Sequence, residues 1–325
     1  MPANSVPPDR PLLDPVLAFP ALAPLRAATL AGDWDSLAGA FAAVSDEEDR
    51  TLASRVVAET PGSEEFLRLT AERLPRDPLA GTLYADRLLT MGWQIRTGEF
   101  AAFVTGSRLK EFHAHLRRAE ALLIGVCAEH PEYALAWYLR LNTARGLELG
   151  PSETRRRYDR LVEHHPHHFG GQQQLLQQLC PKWGGSWEKA EEFADACTEK
   201  ARPGSPTAAL VGIVQLEHWL HLIHTEHDDA EEYVEDPGRH AALTRAAAAS
   251  VLHPDFDSAR HHAVVAHGVF AALHSLAGRW DEAAPHFRAL GNRLSAFPWE
   301  YLDSDPVAEF DRHRKLALAK GRGAS

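Results

Sequence analysis

The chain has 325 residues, of which 45% are hydrophobic, and it carries 34 Lys and Arg against 45 Asp and Glu, a formal net charge of −11 with histidine neutral. This composition excludes a largely disordered chain, and basic residues interspersed with acidic ones argue against a nucleic-acid partner. No run approaches the roughly 18 consecutive apolar residues of a membrane span, and three cysteines without C-x-x-C spacing (Cys127, Cys180, Cys197) point to a reducing cytoplasm.

Residues 1–19 read as a Pro-rich leader in which Asp9, Arg10 and Asp14 interrupt any signal-peptide apolar region. From 20 to 320 apolar residues recur at three- and four-residue steps with almost no strand-like alternation, so the fold class is all-α, in one domain. About fourteen helices fit this length. Ser45 with Glu48 reads as a capping box, Ser63, Ser152 and Asp257 read as further N-caps, and Gly32, Gly150, Gly278 and Pro203 sit where helices stop. Two interruptions, 97–107 and an acidic stretch at 228–238, are expected to project as loops or short helices. Such insertions either line a binding face or are solvated surface.

A repeat search turns this row of helices into an architecture. Gly32-Asp33-Trp34-Asp35, Gly185-Ser186-Trp187-Glu188 and Gly278-Arg279-Trp280-Asp281 each place a glycine two residues before a tryptophan and an acid after it. Apolar residues then continue down one face: Leu37, Phe41 and Val44; Ala190, Ala194 and Cys197; Ala283, Phe287 and Leu290. Prolines 131, 166 and 203 add steps of 35 and 37 residues. The pattern resembles the second half of a tetratricopeptide repeat, in which small residues let paired helices approach and neighbouring pairs complete the core. It predicts a right-handed α-α superhelix, a tetratricopeptide-like solenoid of helix pairs.

Between Ala85 and about Pro203 the chain resembles an uncharacterised bacterial family of tetratricopeptide-like proteins. The resemblance rests on Gly92-Trp93-Gln94-Ile95-Arg96-Thr97-Gly98, Phe112 with Leu116, Ala119 and Leu122, His130-Pro131, Arg145 to Gly150, and above all Pro181-Lys182-Trp183-Gly184-Gly185-Ser186. It implies a helical-repeat fold and no assigned chemistry. Gly92 stands where the family tends to have alanine, and Thr97 intervenes before Gly98.

Trp93, Arg96, Lys182, Trp183, Gly184 and Gly185 are the candidate binding residues. In the densest signal, Lys182 to Trp187, backbone amides at a helix start together with Lys182 could hold an anion. Alternatively the glycines make a sharp turn, Ser186 caps the helix and Trp187 packs inside. No phosphate-binding glycine loop or nucleophile elbow is present.

Nineteen histidines are the compositional oddity. His218, His221, His224 and His227 form a three-residue ladder whose ends face opposite sides of a helix, so at most two neighbours could share an ion, with Glu217, Glu226 or another helix supplying a third ligand. The candidate metal set is His218, His221 and Glu217, whereas His267 and His274 fall where a repeat unit packs its large side chains. The leading function is a cytoplasmic protein whose concave surface binds a peptide or protein. The alternative is an enzyme or ligand-binding protein with a His-lined polar pocket between helices, with or without a bound metal.

Overall fold

The computed structural model describes residues 10–96, 106–225 and 229–321, all helical apart from turns and one isolated bridge. Helix α1 (Pro15–Ala18) and a 3₁₀ turn at Pro20–Leu22 lead into α2 (Ala23–Ala31), α3 (Trp34–Ala42), α4 (Glu47–Ala58), α5 (Glu64–Arg73) and α6 (Pro78–Arg96). Then come α7 (Gly106–Glu129), α8 (Ala134–Gly146), α9 (Pro151–His164), α10 (Phe169–Leu179) and a 3₁₀ turn at Pro181–Trp183. The second half holds α11 (Trp187–Lys200), α12 (Ala209–His224), α13 (Ala230–Glu235), α14 (Pro237–Ala249), α15 (His261–Leu276), α16 (Trp280–Leu290), α17 (Ala296–Trp299) and α18 (Pro306–Lys320). Among the described residues there are thus more helices than the expected fourteen, mainly because α1, α13 and α17 are too short to show a periodic stripe. No helix among the described residues is long and apolar enough to cross a membrane.

The three Gly-x-Trp-acid turns do start helices: Trp34, Trp187 and Trp280 are the first residues of α3, α11 and α16. Gly32 and Gly278 adopt the left-handed conformation that ends the preceding helix (φ 65° and 67°). The expected stripes are inside over most of their length, with Leu37, Phe41, Ala190, Ala194, Ala283, Phe287 and Leu290 buried, whereas Val44 and Cys197 are only half-buried. Several cap assignments need correction. Asp46, not Ser45, caps α4, its carboxylate accepting from the Glu48 and Asp49 amides. Ser63 occupies the N-cap position of α5 without a side-chain capping bond. Ser152 lies inside α9, whose N-cap is Gly150, so that glycine begins a helix where it was expected to end one. Asp257 accepts from the Ala259 amide in the turn before α15. The acidic segment expected to project is largely helical, forming α13 and the start of α14; residues 97–105 and 226–228 lie outside the described residues.

The chain divides into two compact units, 20–186 and 1–19 with 187–325. In the unit 20–186, the even-numbered helices touch in succession, α2 with α4, α4 with α6, α6 with α8 and α8 with α10, and each odd-numbered helix from α3 to α9 packs on an even-numbered neighbour. Close approach depends on glycine: a Cβ on Gly92 would lie 2.6 Å, and one on Gly146 2.2 Å, from the Leu116 side chain. Gly92 therefore occupies its position for packing reasons. Glu120 is buried between α7, α8 and α9, where its carboxylate takes Arg140 at 3.0 Å, Arg157 at 2.9 Å on each oxygen, and the Thr143 hydroxyl.

In the other unit α12 packs on α11, α14 and α15, and α15 and α16 build a core with α17 and α18. Phe287, Trp299 and Phe310 meet there in tilted and edge-on pairs at 5.3–5.8 Å, each burial stabilising by roughly 2–3 kcal/mol. Of the Pro-rich leader, residues 10–19 belong to this unit: Leu12 bridges to Arg293, and Phe19 packs against the core beneath the Arg293 guanidinium.

Candidate functional site

In the unit 20–186, residues far apart in sequence meet in one cation–aromatic cluster. Trp93 and Arg96 come from the last turns of α6, Phe112 from α7, Arg145 from α8 and Trp183 from the 3₁₀ turn after α10. The Arg96 guanidinium lies 5.2 Å from the Trp93 ring centroid, 5.6 Å from Phe112 and 4.9 Å from Trp183. Arg145 lies 5.8 Å from Trp93 and 5.6 Å from Trp183, and it donates to Gln174 and Asn142. Two guanidinium groups thus share two half-buried indole faces, an arrangement in which the rings' quadrupoles stabilise cations held close together. Partial burial pushes the Arg96 guanidinium below its usual value, opposed by Glu148. Among the described residues, Glu148 is the non-glycine residue with a left-handed backbone (φ 56°), a conformation costing about 1 kcal/mol or more for a residue with a Cβ.

Of the candidate binding residues, the fold brings Trp93, Arg96 and Trp183 together. Lys182 and Gly184 are exposed beside them, and Gly184 and Gly185 shape the turn. Gly184 closes it with φ 85°, and a Cβ on Gly185 would lie 1.9 Å from the Leu179 carbonyl oxygen. Gln178 fastens the turn from inside by donating to the Trp183 carbonyl at 2.8 Å. Gly185→Ala is expected to cost about 3 kcal/mol, because a backbone atom must move to admit the methyl group. Thermal melts would check this; an unchanged midpoint would show that the turn yields freely.

The second unit holds twelve of the nineteen histidines. The His218 ring stacks flat on Trp187 (4.3 Å between centroids, 5° between planes) and lies 4.6 Å from Tyr233. Burial, with Arg239 adding to it, pushes its pKa down to about 4. Glu217 is buried while His221 on the same helix is exposed, so the three candidate ligands divide between the interior, an aromatic stack and the surface. Among the described residues, the group of three ligating side chains that converge is instead His240 of α14, His274 of α15 and Glu282 of α16, whose ligand atoms all lie within 4.8 Å of one another. His274 continues inward: it stacks on His286 at 5.6 Å, and His286 shares a 3.1 Å Nδ1 to Nδ1 hydrogen bond with His267.

No spacing rule joins 240 with 274 and 282, and residue 240 lies beyond the histidine ladder. The one local signal was a histidine in the last turn of α15 and an acid in the first turn of α16, facing each other across the Gly278 turn. The chain matches no protein-family model, and no curated protein matches it.

Proposed function

We propose that the chain is a cytoplasmic helical-repeat protein that binds a protein partner, engaging an acidic segment of it at the cluster of Trp93, Arg96, Arg145 and Trp183. The carrying observation is the convergence of these four residues: paired guanidiniums suit carboxylates, and partly exposed indoles supply contact area. Exposed Lys182 adds positive charge to the same turn. The tetratricopeptide-like superhelix, and membership of the bacterial family with the Trp-Gly-Gly-Ser motif, form part of this reading. It draws support from the succession of contacts along the even-numbered helices, which is how stacked helix pairs form a continuous inner layer. The cytoplasmic setting agrees with Cys127, Cys180 and Cys197, which are not joined in disulfides.

The test is a titration of acidic peptides followed by tryptophan fluorescence, with a parallel partner capture. Trp183→Ala and Arg96→Gln are each expected to weaken binding by about tenfold or more, and Glu148→Gln to strengthen it by removing a competing carboxylate. Acidic peptides that bind wild type and both cluster variants alike, or that bind none of them, would remove the proposal.

A further inference from the structure

The convergence of three ligating side chains from three helices, two of them lining one small cavity, points to a site that the partner-binding reading does not use. We propose that His240, His274 and Glu282 form a binding site for a first-row divalent cation of the zinc class, with at least one coordination position left open to the cavity.

The geometry is close to what such an ion requires. The Oε2 atom of Glu282 lies 3.3 Å from Nε2 of His240 and 3.7 Å from Nδ1 of His274. Ligand atoms held about 2.0–2.1 Å from a tetrahedral zinc are about 3.3–3.4 Å apart, so both carboxylate–imidazole separations are near that value already, and the two imidazole nitrogens, which lie within 4.8 Å of each other, would close by no more than about 1.4 Å. The His240 and His274 rings are 5.9 Å apart and nearly perpendicular, at 79°, so their lone pairs approach a common point from different directions. The other carboxylate oxygen, Oε1, faces Arg279 at 3.6 Å, which leaves Oε2 for the imidazoles and the ion.

The independent observation is His274 Nδ1. It belongs to a side chain that is 2% exposed, and it has no hydrogen-bond partner. An orphaned buried nitrogen carries a penalty that a bound ion or water removes. His274 lines a pocket together with Gln215, Tyr233, His240, Leu243 and Leu273, about large enough for one water molecule. Two imidazoles and one carboxylate are a donor set for zinc, iron, cobalt or nickel, and not for calcium or magnesium, which prefer all-oxygen shells. Three protein ligands beside an open position also describe a metal site able to bind a further small molecule or water.

The experiment uses the full chain, purified without a histidine tag and stripped with a chelator. Zn²⁺ is titrated calorimetrically, and bound metal is counted after gel filtration. Wild type is expected to retain one equivalent. His240→Ala and Glu282→Gln are each expected to lower the affinity by about 100-fold, while the double variant His218→Ala/His221→Ala leaves the tight equivalent in place. Co²⁺ in place of Zn²⁺ should show visible absorption bands whose strength reports four- or five-coordination, weakened in the same two variants. Because His240 and Glu282 are partly exposed, circular dichroism is expected to show both variants folded; if one unfolds, the other carries the comparison. A wild-type chain with no tight equivalent would mean that a water molecule fills the cavity, and the proposal fails. It fails equally if both ligand variants keep the tight equivalent, or if the His218/His221 variant loses it.

Discussion

Lowering the pH from about 7 to about 4 is expected to destabilise the unit containing α15 and α16 by about 3 kcal/mol or more. The source is the pair His267 and His286, 2% and 1% exposed and joined by the 3.1 Å contact between their Nδ1 atoms. One of those nitrogens must donate and the other accept, so the contact excludes protonation of both rings. Protonating both rings would set two N–H groups against each other in an apolar surround. Burial, with Arg293 adding to it, pushes His267 down to about 4, and burial pushes His286 well below its ordinary value, with His267 and His274 adding to it. Phe256 packs on His267, and Phe270 and His274 pack on His286, so the neighbouring rings offer no counter-charge.

The sign follows from proton counting. Between about 4 and the unfolded value of 6.5 the unfolded chain binds protons that these folded imidazoles do not, so stability falls as pH falls through that window. In the unit 20–186, Asp86 works the other way: buried beside the Ser54 hydroxyl, its carboxyl is raised to about 6, and its contribution is lost as pH rises from about 4 to 6. His168 is pushed down to about 4 by burial and offsets it there. Denaturant unfolding at a series of pH values, in wild type and His286→Phe, would measure the effect. The variant keeps an aromatic ring on Phe270 and should flatten the profile; identical profiles in the two proteins would rule out the histidine pair as its cause.

Glu120→Ala is expected to cost about 3–5 kcal/mol, because it strands two guanidinium groups in the interior. Arg157 is 2% and Arg140 7% exposed, and both depend on this carboxylate. Arg157 keeps a second ion pair to Glu153 at 2.7 Å, but that carboxylate is partly solvated and cannot replace Glu120 for Arg140. In a unit of this size the loss corresponds to a drop of about 10 °C or more in Tm. Glu153→Ala, at the wet end of the same network, should cost about 1 kcal/mol or less. Glu120→Leu combined with Arg140→Met and Arg157→Leu should recover most of the loss, since removing the whole network removes the stranded charges with it. A small effect of Glu120→Ala alone would show that water reaches the two arginines.

Local features were legible in the amino-acid sequence. The turns before Trp34, Trp187 and Trp280, the glycines at 32 and 278 and the stripes from Leu37 to Leu290 depend on neighbours one to four residues apart, and periodicity and backbone sterics report such relations directly. Caps were less certain because Ser45 and Asp46 compete for one position, and the longer reach of the aspartate carboxylate prevails. Residues Trp93, Arg96 and Trp183 stood out by type, but only the packing of α6, α7 and α8 through Gly92 and Gly146 brings them together with Arg145. Glu120, Arg140 and Arg157 look like ordinary charges on solvated helix faces, and His240 and Glu282 like surface residues. Glu120 and Arg157 meet across 37 positions and His240 and Glu282 across 42, on different helices, so the tertiary structure alone decided which charges are buried and which imidazoles face a common cavity.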